Sequence, residues 1–305
     1  MTILELLVSF KQMSLMKGIL SCLLVTFAAV SGCVILGFWK IVTRISASKA
    51  EPLLLRKADY TIIWWSLVNQ KMIQWLGLSK ITIDIDTSNP LDLQKWYLIF
   101  CNHQTWVDIL ILQTSLLQLI APIKFFTKSQ LKWVPFIGIA MYGLDFPYVK
   151  RATREQIKAN PALATLDRDN IFEACERFKN HPTCILNFLE GTRFSPAKHQ
   201  QRNSKYKHLL APKTGGASYV IEAMHDRLDS ILDITIYYPE GVPTFWDFLS
   251  GKNKNVIMQI KDFPIPEQSG SSSSHHKREV QSLVEKIWEE KDLYLQDLNH
   301  ESLAS

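Results

Sequence analysis

The chain opens on an apolar run and then changes rhythm. From Gly18 to Trp39 no residue carries a charge (GILSCLLVTFAAVSGCVILGFW), and at ~1.5 Å per helical residue this run is long enough to cross the ~30 Å hydrocarbon layer of a bilayer. It reads as a membrane segment. A cleaved signal peptide is the competing reading, although its apolar stretch usually runs only about 7 to 15 residues. Next, Asp59 to Leu78 sets Tyr60, Ile63, Trp64, Leu67, Val68 and Trp75 at three- and four-residue spacing, with Asn69, Gln70 and Lys71 opposite. That spacing predicts an amphipathic helix, and the adjacent Trp64 and Trp65 suit either a lipid headgroup layer or an ordinary core.

Further on, short β-branched or aromatic runs alternate with helical stretches, the pattern of an α/β domain. Strands are predicted at Trp96 to Cys101, Ile123 to Thr127, Phe146 to Val149, Thr183 to Leu189, Ile231 to Tyr238 and Val256 to Asp262. Helices are predicted at Trp106 to Gln118, Arg168 to Lys179, Gly216 to Arg227 and Lys277 to Leu298. Ser269 to Ser274 (SGSSSS) reads as a flexible linker feeding the last helix. The division expected is an anchor over residues 1–50, an α/β body over 51–265 and a linker with a terminal helix over 266–305.

Composition sharpens this. With 305 residues, 47% hydrophobic, 9 Trp, 15 Phe and 9 Tyr, the chain has ample core material and is not a disordered polypeptide. Five cysteines with no C-x-x-C pair give neither a disulfide framework nor a zinc knuckle. A net charge of +5 invites a nucleic-acid reading until its position is considered. Lys11, Lys17, Lys40, Arg44 and Lys49 face only Glu5 in the first fifty residues, so the positive charge brackets the apolar run and the body is nearly neutral. Two basic residues precede the run and three follow it, which places the body on the cytoplasmic side by the positive-inside rule.

The chain has no G-x-S-x-G elbow, no G-x-x-x-x-G-K-[ST] loop, no G-x-G-x-x-G and no H-E-x-x-H, so serine-hydrolase, P-loop, dinucleotide and zincin chemistries lack their carriers. Two polar clusters remain at the ends of apolar strands, where α/β proteins place their sites. In Asn102-His103-Gln104-Thr105-Trp106-Val107-Asp108, Asp108 can fold back from the first helical turn onto one imidazole nitrogen of His103. The other nitrogen would then be free as a general base. Thr105-x-x-Asp108 also fits a helix capping box, and by chance alone about 0.4 H-x-x-x-x-D pairs are expected. In Glu190-Gly191-Thr192-Arg193 the glycine lets the backbone turn and the arginine offers a planar fork for phosphate, although the same four residues can form a plain surface turn. Cys101, two residues before His103, is the alternative nucleophile.

Taken together, Asn102-His103-x-x-x-x-Asp108 followed by Phe188-Leu189-Glu190-Gly191-Thr192-Arg193 resembles the paired signature of the glycerolipid acyltransferases, the lysophosphatidic acid acyltransferase family. Lys128 to Gly138 resembles that family's K-x-x-L-x-x-x-P-x-x-G segment. The resemblance spans roughly residues 60–265 and implies that His103 is the general base, Asp108 its orienting partner, and Arg193 the ligand of the acceptor phosphate in a loop shaped by Glu190, Gly191 and Thr192. It also points to Arg151 and Lys150 as basic residues after a strand, and to Lys213 in the segment 211–216 before a helix. Leu189 replaces the commoner proline. The expected fold is α/β, a single domain with a mixed, largely parallel central sheet flanked by helices and preceded by an N-terminal membrane helix. The implied reaction moves a fatty acyl group from acyl-carrier protein or coenzyme A to lysophosphatidic acid, giving phosphatidic acid. Another lysophospholipid or glycerol-3-phosphate as acceptor, or a non-catalytic lipid-binding scaffold, are the alternatives. The partners implied are the lipid substrate, the acyl thioester as co-substrate and the bilayer, with no metal, no other cofactor and no nucleic acid. The location expected is a membrane, of bacterial inner-membrane type, with the catalytic body cytoplasmic.

Overall fold

The computed structural model describes residues 3–45, 51–128, 163–267 and 273–304, with positions 144, 148, 149 and 158 between them. In chain order the elements are α1 (Ile3–Ile45), α2 (Glu51–Leu76), β1 (Lys80–Asp86), β2 (Tyr97–Cys101), α3 (Val107–Ser115), β3 (Ile123–Phe125), β4 (Thr127–Lys128), β5 (Tyr148–Val149), α4 (Leu163–Phe178), β6 (Cys184–Phe188), α5 (Pro196–Arg202), α6 (Gly215–Met224), β7 (Ser230–Tyr237), α7 (Phe245–Leu249), β8 (Asn255–Phe263) and α8 (Ser273–Ala304). Six strands form one sheet in the order β1-β8-β7-β2-β6-β3. Pairs β2–β6, β2–β7, β3–β6 and β1–β8 are parallel, whereas β7–β8 is antiparallel. The sheet is therefore mixed and largely parallel, as the sequence pattern and motifs led us to expect.

The central strands are buried on both faces, and this is why they read as largely apolar runs. All five residues of β2 are buried. Because successive side chains point to opposite faces, Ile99 and Cys101 join α2, α3 and α7 in one core (Met72, Ile73, Val107, Ile111, Phe248). Leu98 and Phe100 join α4, α6 and α8 in the other (Ile171, Val220, Val284, Trp288). The terminal helix is fixed by Trp288, whose indole N–H donates to Leu210 C=O at 3.0 Å. Beside it the buried Lys291 Nζ lies 2.8 Å from Asp233 Oδ1 and donates to Ile234 C=O at 2.6 Å. An ammonium out of water needs such partners, because unpaired it would cost several kcal/mol.

Helix α1 lies along the body. Ser14 Oγ donates to Ser250 C=O at 3.0 Å, and Trp64 Nε1 of α2 donates to Ser31 Oγ at 3.4 Å. The inner face carries the small residues Gly18, Ser21, Ala28 and Gly32, so the helix approaches closely. A Cβ on Gly18 would sit 2.7 Å from the Trp246 ring. The opposite face presents Met13, Met16, Leu20, Leu23, Phe27, Val34, Phe38 and Ile41 to the outside. The apolar window Lys11–Trp39, mean hydropathy 2.5, is long and apolar enough to cross a membrane.

Three short elements went unforeseen: the edge strand β1 and the helices α5 and α7. The strand expected at Phe146 to Val149 is seen as Tyr148–Val149, which pairs with β4 in a small second sheet. Residues 146 and 147, the 129–138 portion of the third family segment, and the linker portion 268–272 lie outside the described residues. Ser273 and Ser274, the end of the expected linker, belong to α8.

Candidate active site

Strand β2 ends at Cys101 because the next side chain takes over the role of the ladder. Asn102 Nδ2 donates to Ile236 C=O and Asn102 Oδ1 accepts from Ile236 N–H, both at 2.9 Å. With its side chain pinned to β7, the backbone is released from the sheet and His103 turns away at the strand's carboxyl end. His103 Nδ1 lies 2.8 Å from Asp108 Oδ2. A carboxylate can only accept, so Nδ1 carries the proton and Nε2 keeps its lone pair. No hydrogen bond to Nε2 occurs among the described residues, and the His103 side chain is 12% exposed against none for Asp108.

Asp108 is held from several sides. Its Oδ2 also accepts from the backbone N–H groups of Gln104 at 2.6 Å and Thr105 at 2.9 Å, and its Oδ1 accepts from Tyr238 Oη at 2.7 Å. Of the capping-box reading only half is formed: the carboxylate that orients the imidazole also takes the Gln104 and Thr105 N–H groups of the turn before α3, but no side chain caps the helix itself. Thr105 Oγ1 donates to Pro243 C=O at 2.9 Å, tying this turn to the loop before α7. Burial, then the adjacent Asp108 carboxylate, pushes the Tyr238 phenol well above its ordinary pKa, so it stays a donor.

The second cluster meets the first. Phe188, the last residue of β6, stacks on the His103 ring with centroids 4.0 Å apart and planes 15° from parallel. The buried Glu190 bridges two loops: Oε1 accepts from His103 N–H at 2.8 Å and Oε2 from Leu210 N–H at 3.0 Å. Burial pushes Glu190 up to about 7, against the pull of those two donors. Gly191 turns the chain at φ +67°, a conformation in which a side chain would be strained. Phe194 N–H then donates to His103 C=O at 2.6 Å. Lys198 Nζ donates to Thr192 Oγ1 at 3.0 Å and to Arg193 C=O at 2.9 Å. Arg193 is exposed, its guanidinium carbon 4.9 Å from the centroid of the Trp106 ring.

The structure therefore brings His103, Asp108, Glu190, Gly191, Thr192 and Arg193 to one edge, where β2 and β6 end side by side. Lys213 N–H donates to Leu189 C=O at 2.7 Å, which carries the segment 211–216 to the end of β6. Lys150 and Arg151 lie outside the described residues. Cys101 does not serve as a nucleophile: it is fully buried, its thiol donates to Asn102 C=O at 3.2 Å, and burial pushes its pKa well up, so no thiolate is presented. Three further side chains that contact the site residues escaped the sequence reading. Tyr238 gives no local signal, because 130 residues separate it from Asp108. Lys198 and Trp106 were in view, as a cation five residues after Arg193 and an exposed aromatic inside the histidine motif.

A histidine oriented by a buried carboxylate, at the carboxyl ends of adjacent parallel strands and beside an arginine whose donors are open among the described residues, is an arrangement in an α/β fold that can support general-base chemistry on an anionic substrate. A family model described as Acyltransferase matches residues 82–239, just over half of the chain. The chain belongs to this acyltransferase family, as its paired motifs imply. It is 26% identical over 250 residues to lysocardiolipin acyltransferase 1 of Gallus gallus, covering 77% of this chain and 61% of that protein. It is 23% identical over 255 residues to 1-acyl-sn-glycerol-3-phosphate acyltransferase gamma of Homo sapiens, covering 79% and 63%. The chain thus spans about three fifths of the length of these curated relatives. Among solved structures it is similar to the 1-acyl-sn-glycerophosphate (LPA) acyltransferase of Thermotoga maritima, with a TM-score of 0.49, 18% identity, and coverage of 91% of this chain and 97% of that one.

Proposed function

We propose that the protein is a membrane-associated O-acyltransferase that moves a fatty acyl group from a thioester of coenzyme A or acyl-carrier protein to the free hydroxyl of lysophosphatidic acid, forming phosphatidic acid. The observation that carries this reading is the His103–Asp108 pair, 2.8 Å apart, with Nε2 left unbonded among the described residues. His103 Nε2 takes the proton from the acceptor hydroxyl as its oxygen attacks the thioester carbonyl carbon. The tetrahedral intermediate then expels the sulfur, which leaves as the thiol after receiving the proton from the imidazolium. The new C–O ester bond replaces the C–S bond, and the sequence needs no covalent enzyme intermediate. Asp108 holds the tautomer and offsets the charge that develops on the ring. Arg193 holds the acceptor phosphate by charge-assisted bonds, and the family resemblance assigns Lys213, Lys150 and Arg151 to substrate binding as further cations. The names of the two relatives support a lysophospholipid or 1-acylglycerol phosphate as acceptor.

The body sits at a membrane surface with its site facing the cytoplasm, and the anchor is α1. Its hydrogen bonds to the body at Ser14 and Ser31 lie about 25 Å apart along the helix at ~1.5 Å per residue. An anchor lying along the body, with the outer apolar stripe in lipid, agrees with these contacts better than a helix standing clear of the domain.

The test is direct: detergent-purified protein is incubated with radiolabelled acyl-coenzyme A or acyl-carrier protein and a panel of lysophospholipids and glycerol-3-phosphate. Labelled phosphatidic acid from lysophosphatidic acid is expected. Product from another acceptor alone would reassign the substrate, and acceptor binding without any product would leave a scaffold.

A further inference from the structure

One edge of the site pairs Arg193 with Trp106, a residue to which no role has been assigned. Trp106 follows the histidine turn after β2 and is 47% exposed. Arg193 comes from the turn after β6, and its guanidinium carbon sits 4.9 Å from that ring's centroid. Among the described residues the guanidinium makes no hydrogen bond and no ion pair, so its N–H edges are open. Its backbone is not free: Lys198 Nζ donates to the Arg193 carbonyl at 2.9 Å and to Thr192 Oγ1 at 3.0 Å, while Phe194 N–H donates to His103 C=O at 2.6 Å. An aromatic face engages a guanidinium through its flat side and leaves the in-plane donors available, which is the arrangement that bidentate recognition of an oxyanion requires.

We propose that Trp106 and Lys198 are positioning residues that hold Arg193 in place before substrate arrives, Trp106 by supporting the guanidinium plane and Lys198 by stapling the turn that carries it. The ligand is the phosphate group of the acceptor. The inference rests on the proposed reading of Arg193 as the phosphate ligand and deepens it. A long, rotamer-rich side chain that is ordered beforehand loses less freedom on binding, so its contribution reaches affinity rather than being spent on ordering. Trp106 and Lys198 act through Arg193 and do not touch the reacting atoms, so they set how well the acceptor is held and leave the proton transfer alone.

The experiment measures kcat and KM for a short-chain, water-soluble lysophosphatidic acid, together with its dissociation constant by equilibrium dialysis. The variants are Trp106→Leu, Trp106→Phe, Lys198→Met, Arg193→Ala, and Arg193→Ala combined with Trp106→Leu. Both single positions lie at the surface edge, and unchanged thermal midpoints verify the fold. For Trp106→Leu we expect KM and the dissociation constant to rise about 5- to 10-fold with kcat within about twofold, and Trp106→Phe to recover most of the loss. Lys198→Met raises KM about 3-fold. The double variant is no worse than Arg193→Ala alone, because the two residues act as a unit. Additive losses, an equal fall in kcat, or an effect confined to vesicle sedimentation with soluble-acceptor KM unchanged would overturn the proposal, the last by making Trp106 a lipid contact. A wild type that binds the acceptor with the same Trp106 dependence but transfers nothing would overturn the acyl-transfer reading and keep this one. A wild type that neither binds nor turns over would overturn both.

Discussion

The two halves of the site are built on opposite plans. Around His103 the described polar groups are closed into one network: Asp108 takes two backbone donors, a phenol and the imidazole, Glu190 takes the His103 N–H, and Asn102 is locked to Ile236. Near it Arg193 is exposed and, among the described residues, supported only through a ring face and its own backbone. On the proposed function, the difference follows from what each half must do. Proton transfer needs the base held to within a few tenths of an ångström, and a buried, fully bonded carboxylate supplies that order. Recognition of an incoming phosphate needs open donors, and donors already committed to protein groups would have to be released first.

The sharpest way to break this comparison is at the base itself. His103→Ala removes the proton acceptor and leaves Phe188, Glu190 and Arg193 in place, so acyl transfer falls by roughly 10²- to 10⁴-fold while acceptor binding is kept. Steady-state kinetics with dialysis on the same preparation reads both, and a variant retaining a tenth of the wild-type rate would remove His103 from the mechanism. Asp108→Asn is gentler. The two N–H groups of Gln104 and Thr105 still fix the amide oxygen beside His103 Nδ1, and the amide nitrogen meets Tyr238, whose hydroxyl can turn to accept. What is lost is the negative charge opposite the imidazolium, for which we expect roughly a 10²-fold drop in kcat with the fold retained. A fall in KM affinity instead of kcat would argue that Asp108 shapes the acceptor pocket.

Much of this was legible in the sequence, and the omissions have physical causes. Strands β2, β6 and β7 announce themselves because burial on both faces makes them largely apolar, and His103 and Asp108 because their contact is made within one turn of chain. Strand β1 was passed over although Ile81, Ile83 and Ile85 alternate with Thr82 and Asp84. As an edge strand it is half-exposed, and its acids resemble a loop. Helices α5 and α7 are too short to show a period, and they start on the caps Ser195 and Thr244, which in sequence are ordinary turn residues. Tyr238 could not be placed without the sheet order, since only the neighbouring of β7 and β2 brings it to Asp108.

Glu190 separates the network's structural role from its chemistry. Burial raises its pKa to about 7 from an ordinary 4.5, so the folded state holds that proton more tightly than the unfolded chain does. The resulting stabilisation is complete below about pH 4.5 and is lost as pH rises through about 7, an effect of about 3 kcal/mol by linkage. Glu190→Gln removes the titration. Urea midpoints measured from pH 5 to 8 should therefore fall with pH in the wild type and change less in the variant, and parallel curves would mean that Glu190 is already ionised at pH 5.

The smallest change tests how far the network is redundant. Tyr238→Phe removes one hydroxyl and leaves Asp108 Oδ1 without its 2.7 Å donor, in a place water does not reach. A buried carboxylate oxygen deprived of a bond to a charged group costs about 1.5 to 3 kcal/mol, and the phenylalanine ring fills the same space. The Oδ2 atom, with His103 Nδ1 at 2.8 Å and two backbone donors, is untouched. Stability should therefore fall by that amount in urea unfolding while kcat falls less than tenfold. If kcat dropped as far as in Asp108→Asn with stability unchanged, the phenol would belong to the reaction and not to the frame, and the closed half of the site would be smaller than its hydrogen bonds imply.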